Sequence, residues 1–172
     1  MVFGLAILGN NSAGNFSLQA SFAASIALAS FTFALVGFAH AQSFEPVAEL
    51  TGVATVKDGD GLLFGSVEIR LQGIAAPELR DPVGQASTDT LRRLADGKRV
   101  VCYLDGTRAG KSKRPVAVCT VDGRDLGELQ VLAGMALDCP RYSKGRYAEA
   151  ERKAVAEDRN LALTYQLPGY CR

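Results

Sequence analysis

Five short β-rich runs bounded by turn residues, one run at helical spacing between the third and fourth, and two helical runs after the fifth predict the fold class. It is α+β, mainly β: a five-stranded Greek-key barrel of the OB type with three helices. A chain of 172 residues, 48% hydrophobic and 22% charged, has the composition of one globular domain.

The first strand is Ala48 to Val56. It turns at Asp58-Gly59-Asp60-Gly61 into Leu62 to Phe64 and then Val67 to Ile74, a three-stranded meander with one apolar face. In the third strand Val67, Ile69 and Leu71 share one face and Glu68, Arg70 and Gln72 the other, so Arg70 points away from the core. The glycines of the acidic turn are expected to take positive φ and to leave the backbone open to a ligand. Pro77 ends the third strand's pairing and presents Glu78 where the chain leaves the sheet.

Pro82 suits the first turn of a helix carrying Ala86, Leu91, Leu94 and Ala95, which Asp96-Gly97 ends. Arg99 to Leu104 and Pro115 to Val121 are the fourth and fifth strands, joined by the polar loop Asp105 to Arg114. Asp125 to Ala133, stopped by Gly134, is the second helix. Lys144 to Leu163 is the third, with Tyr147, Ala150, Ala154, Val155, Asp158 and Leu161 along one stripe.

Ahead of these elements, residues 1–41 hold no Lys, Arg, Asp or Glu. The apolar run Ser21 to Ala39 ends in Ala39-His40-Ala41, an Ala-x-Ala pattern of a signal-peptidase site. A cleaved signal predicts export, to a periplasm or the medium; an uncleaved segment of this length would instead anchor the chain in a membrane. Residues 42–51 then read as linker and the start of the first strand, 52–163 as the domain and 164–172 as a tail.

Nineteen basic against 18 acidic residues give a net charge of +1. That excludes a global positive field, so any contact with nucleic acid must be local. Four cysteines in a small exported domain favour disulfides over free thiols. Cys102 with Cys119 would bridge one hairpin, and Cys139 with Cys171 would tie the tail to the end of a helix. Without a Cys-x-x-Cys spacing, and with His40 as the only histidine, a zinc site is not expected.

From about Gly52 to about Leu163 the sequence resembles the staphylococcal nuclease (thermonuclease-like) family. The resemblance rests on Asp58-Gly59-Asp60, on Arg70, on the corner Ala76-Pro77-Glu78 and on Arg114. It implies the same barrel and hydrolysis of phosphodiesters in single-stranded DNA or RNA. By this resemblance Asp60 and the Ala76 carbonyl bind calcium, Glu78 orients or deprotonates the attacking water, and Arg70 and Arg114 hold the phosphate. Lys111 in the basic loop and Tyr142 are the further substrate-binding positions.

The chain departs from the family at Ala75, where a second metal-binding aspartate is expected, and at Ser112-Lys113-Arg114, where Tyr-Gly-Arg is common. One carboxylate makes a weak calcium site; magnesium completed by substrate phosphate, or recruitment of Asp58 or Asp81, is the alternative. Without a metal the two arginines remain a phosphate clamp, in a nuclease-fold domain that binds nucleotides or single strands. No protein partner is implied, and a monomer is expected.

Overall fold

A computed structural model describes residues 44–172; the segment expected to be a signal or an anchor, and His40, lie outside them. The architecture is α+β and mainly strands, with an open sheet and four α-helices among the described residues. None of those helices is long and apolar enough to cross a membrane.

The sheet runs β1 (Ala48–Val53), β6 (Arg99–Ala109), β7 (Arg114–Val121), β4 (Val67–Leu71), β3 (Gly61–Phe64), β2 (Thr55–Asp58). β8 (Arg124–Asp125) pairs with β7 across Asp122-Gly123, a two-residue turn with both φ positive. All these pairs are antiparallel except β4 with β7, where Arg70 lies opposite Val116. The two ends of the sheet, β1 and β2, are consecutive in sequence and separated only by Ala54.

That break divides the predicted first strand. The Ala54 amide donates to the Lys98 carbonyl and its carbonyl accepts from Gly97, so the backbone bonds to the turn after the first helix. The predicted third strand is likewise divided after Leu71, because Gly73 adopts φ +75°. β5 (Ile74–Ala75) pairs instead with β9 (Leu137–Asp138). β6 runs five residues past the predicted end at Leu104, through a register shift between Leu104 and Arg108 at Gly106. The polar loop therefore shrinks to residues 110–113.

α1 (Gly84–Ala95) starts two residues after Pro82, and α2 (Leu126–Leu132) follows Asp125, whose Oδ1 accepts from Gly127 and Glu128 as an N-cap. A short helix, α3 (Pro140–Ser143), precedes the predicted third helix, Lys144 to Leu163, which is corrected to α4 (Ala148–Ala156) and a 3-10 turn (Leu161–Leu163). Left-handed Lys144 and Gly145 delay its start and left-handed Asp158 follows its end, since an α-helix cannot pass through that region of φ. Val155, expected inward, is exposed.

The core gathers Leu62, Ile69 and Leu71 of the sheet with Leu91 of α1, Leu126 and Val131 of α2, and Tyr147 beside α4. A smaller cluster under the tail holds Ala75, Cys139 and Cys171, packed by Tyr165 and Leu167. Both disulfides form as the sequence predicts: Cys102–Cys119 joins directly opposed residues of β6 and β7, and Cys139–Cys171 ties the tail to the start of α3. No cysteine is free among the described residues.

Candidate functional site

The acidic turn is built from beneath. Gly59 and Gly61 take ordinary negative φ, contrary to expectation, and the turn is buried rather than open to a ligand. Space is what the glycines supply. A Cβ on Gly59 would lie 2.2 Å from Ser87 Oγ, and one on Gly61 would lie 2.5 Å from Asp58 Oδ1. Gln130 of α2, fully buried, donates from Nε2 to the Gly59 carbonyl at 2.8 Å and to the Ser87 carbonyl at 3.2 Å. Gln130 of α2 thus holds the turn by its backbone and ties it to α1, a role that the helical pattern does not reveal.

Asp60 is 5% exposed and pairs with Arg70 Nη1. Burial pushes its carboxyl up to about 6, although the Arg70 guanidinium pulls in the opposite direction. Arg70 Nη2 donates to the Ile74 carbonyl at 3.2 Å. The guanidinium is therefore anchored at two points on the chain, and its remaining N–H groups are spare.

Arg70 lines a cleft of about 720 Å³ together with Glu78, Arg114 and Tyr142. Four predicted site residues from separate segments therefore converge on one concavity. Arg114, at the start of β7, donates from Nη1 to Glu68 Oε1 at 2.8 Å, and its Nε has no partner among the described residues. Glu68 also accepts from Lys57 at 2.8 Å. Partial burial works against its charge, but the hydrogen bonds from Lys57 and Arg114 outweigh it and hold the carboxyl below the usual range.

Glu78 is exposed at the cleft and makes no ion pair among the described residues. It does not cap α1, whose N-cap is Val83. Its backbone is fixed instead: its amide donates to Asp81 Oδ2 at 2.9 Å, and its carbonyl accepts from the Asp81 amide at 2.8 Å. Close packing of Gly84 holds the same corner, because a Cβ there would lie 1.8 Å from the Glu78 carbonyl oxygen.

Tyr142 is held in place by its backbone, whose carbonyl accepts from Gln72 Nε2 at 2.6 Å, and the residue is 49% exposed. Lys111 stands in the exposed turn 110–113 and does not line the cleft. Lys113, where glycine is expected from the resemblance, adopts φ +55°. Arg108, Arg141, Lys144 and Tyr170 also line the cleft, and sequence reading does not select them. A signal for Tyr170 was present: pairing Cys171 with Cys139 brings the tail beside Tyr142.

Each group expected to hold calcium already has a partner on the chain. Asp60 is paired with Arg70, and the Ala76 carbonyl accepts from the Tyr165 hydroxyl at 3.2 Å. Asp58 Oδ1 accepts from the Asp60 amide at 3.3 Å, and Asp81 serves the Glu78 turn. No group of three His, Cys, Asp or Glu gathers as a metal site among the described residues. Calcium needs six to eight oxygens, and this donor set, with one carboxylate already neutralised, does not fit it.

Among known proteins, no family model matches the chain and no curated protein matches it.

Proposed function

We propose that the chain is an exported nuclease that hydrolyses phosphodiester bonds of single-stranded DNA or RNA. The observation that carries this reading is the convergence of Arg70, Arg114, Glu78 and Tyr142 on one cleft. In this reading β1 and β2 count as one strand bent at Ala54, and the sheet curls into the five-stranded barrel of the staphylococcal nuclease type. The continuity of its two ends in sequence supports that closure.

The chemistry assigned to the cleft is in-line displacement at phosphorus. Glu78 accepts a proton from the attacking water, the water oxygen bonds to phosphorus, and the bond to the ester oxygen on the opposite side breaks, that oxygen leaving with the electron pair and taking a proton from solvent. Arg70 and Arg114 offset the negative charge that builds on the phosphoryl oxygens, and both are oriented beforehand by acceptors on the chain. Tyr142 offers an exposed ring to an adjacent base. No step is assigned to a metal ion.

One observation favours a second reading, a domain that binds single strands without cleaving them. Ala75 is 0% exposed inside an apolar cluster, so its own position supplies no second carboxylate. Cleavage of labelled single-stranded DNA by the full chain, with calcium, with magnesium and with chelator, separates the two. Cleavage lost by about 100-fold or more in Glu78→Gln supports the hydrolase. Binding without cleavage by folded protein leaves the second reading, and neither binding nor cleavage rejects both.

A further inference from the structure

We infer that the chain itself fills the place where the family resemblance puts a divalent cation, so that phosphodiester binding in this cleft does not depend on divalent cations. The inference rests on the phosphodiester reading for its ligand, but not for its account of the cation position.

Three contacts from three parts of the chain occupy that place. The Arg70 guanidinium takes the Asp60 carboxylate. The Tyr165 hydroxyl takes the Ala76 carbonyl at 3.2 Å. Ala75, in place of the missing aspartate, packs against Cys139, Cys171, Tyr165 and Leu167. A cation binding here would have to displace a buried guanidinium and a phenol while gaining one carboxylate. Asp58 and Asp81, the two nearby substitutes, are held by the Asp60 and Glu78 amides.

The tail carries two of these three contacts, and it is not a loose end. Cys171 is disulfide-bonded to Cys139, whose amide donates to the Gly73 carbonyl at 2.9 Å. That hydrogen bond ties the tail's anchor to the segment leading to Ala75. Tyr170, one residue from the disulfide, then reaches the cleft lining beside Arg70 and Glu78. The positive charge that a cation would supply to a phosphoryl group is supplied by Arg70, held by Asp60 and Ile74 with N–H groups to spare. Arg114 adds a second guanidinium in the cleft lining.

Two measurements on the full chain test this. The first is calorimetric titration with calcium alone and with magnesium alone. No saturable binding below millimolar concentration is expected; one cation bound per chain at micromolar concentration, lost in Asp60→Asn, would overturn the inference. The second is anisotropy of a labelled oligothymidylate in chelator, calcium or magnesium at matched ionic strength. Affinities agreeing within about twofold are expected, and a tenfold gain with either cation would overturn the inference. Absence of oligonucleotide binding in every condition would reject the phosphodiester reading instead, and the titration would still decide who occupies the cation position. In Ala75→Asp, a melting temperature that calcium raises by several degrees would also count against the inference.

Discussion

Glu68 joins two cations from opposite sides of β4: its Oε1 accepts from Lys57 Nζ and from Arg114 Nη1, each at 2.8 Å. Arg114 therefore enters the cleft with its charge already partly answered, and its orientation is set by a carboxylate rather than by substrate. The arrangement trades affinity for geometry, since phosphate must compete with Glu68 for one edge of the guanidinium.

Replacing Glu68 by Gln should separate these two effects. Affinity for single-stranded oligonucleotide is expected to rise about threefold, the scale of one screened charge near a phosphate. Unfolding free energy should fall by about 1 kcal/mol, because the pair is partly exposed. Anisotropy and urea denaturation check the two figures. Unchanged affinity would place the phosphate away from Arg114.

Asp60 sets a dependence of stability on pH. Its folded carboxyl titrates near about 6, above the ordinary 3.8, so the folded chain holds this proton more tightly than the unfolded chain does. The stability it contributes is complete below about pH 4 and is lost as pH rises to about 6. The difference in unfolding free energy between wild type and Asp60→Asn should therefore slope across that window and level off above it. Asp125, Asp138 and Glu151 are also raised by burial, but they cancel in the difference. A flat difference would mean that Arg70 compensates burial fully.

Gly84→Ala should move Glu78 without touching either arginine. The added Cβ meets the Glu78 carbonyl oxygen at 1.8 Å, so the corner must shift. A loss of about 1–3 kcal/mol in stability is expected. Cleavage rate should fall while oligonucleotide affinity stays within about twofold, a split that destabilisation alone does not produce at a temperature where the variant is folded. Loss of both together would show that the corner also supports binding.

Asp125 has two tasks, and Asp125→Ala removes both. Its Oδ1 caps α2, worth about 1 kcal/mol. Its Oδ2 accepts from the hydroxyl of buried Tyr147 at 3.1 Å, and an orphaned buried hydroxyl costs a further ~1–3 kcal/mol. Denaturant unfolding of the single variant and of Asp125→Ala with Tyr147→Phe checks this. The double variant should recover part of the loss.

What the sequence disclosed followed how local the cause was. Alternation placed Ile69 and Leu71 inward and Arg70 outward, because strand geometry depends only on neighbours. Turn residues located the hairpins, and cysteine positions on adjacent elements gave both disulfides. Gly59 was misread because its reason is Ser87, 28 positions away. Gln130 is invisible for the same reason, since its partners lie on a turn and a helix that only the fold brings near. The start of the last helix was placed at Lys144 rather than Ala148 because its apolar stripe begins at Tyr147, while left-handed Lys144 and Gly145 hold the helix off until after that residue. At the cleft, Arg70, Glu78 and Arg114 were legible through resemblance. The engagement of Asp60 and Ala76 was not, because Tyr165 reaches Ala76 across 89 positions.

The two disulfides close consecutive loops that do not overlap, 102 to 119 and then 139 to 171. Were the chain delivered N-terminus first into an oxidising compartment, Cys119 would meet Cys102 before Cys139 emerged, and Cys139 would then have Cys171 left to meet. Pairing in order of emergence would reproduce the connectivity of the fold.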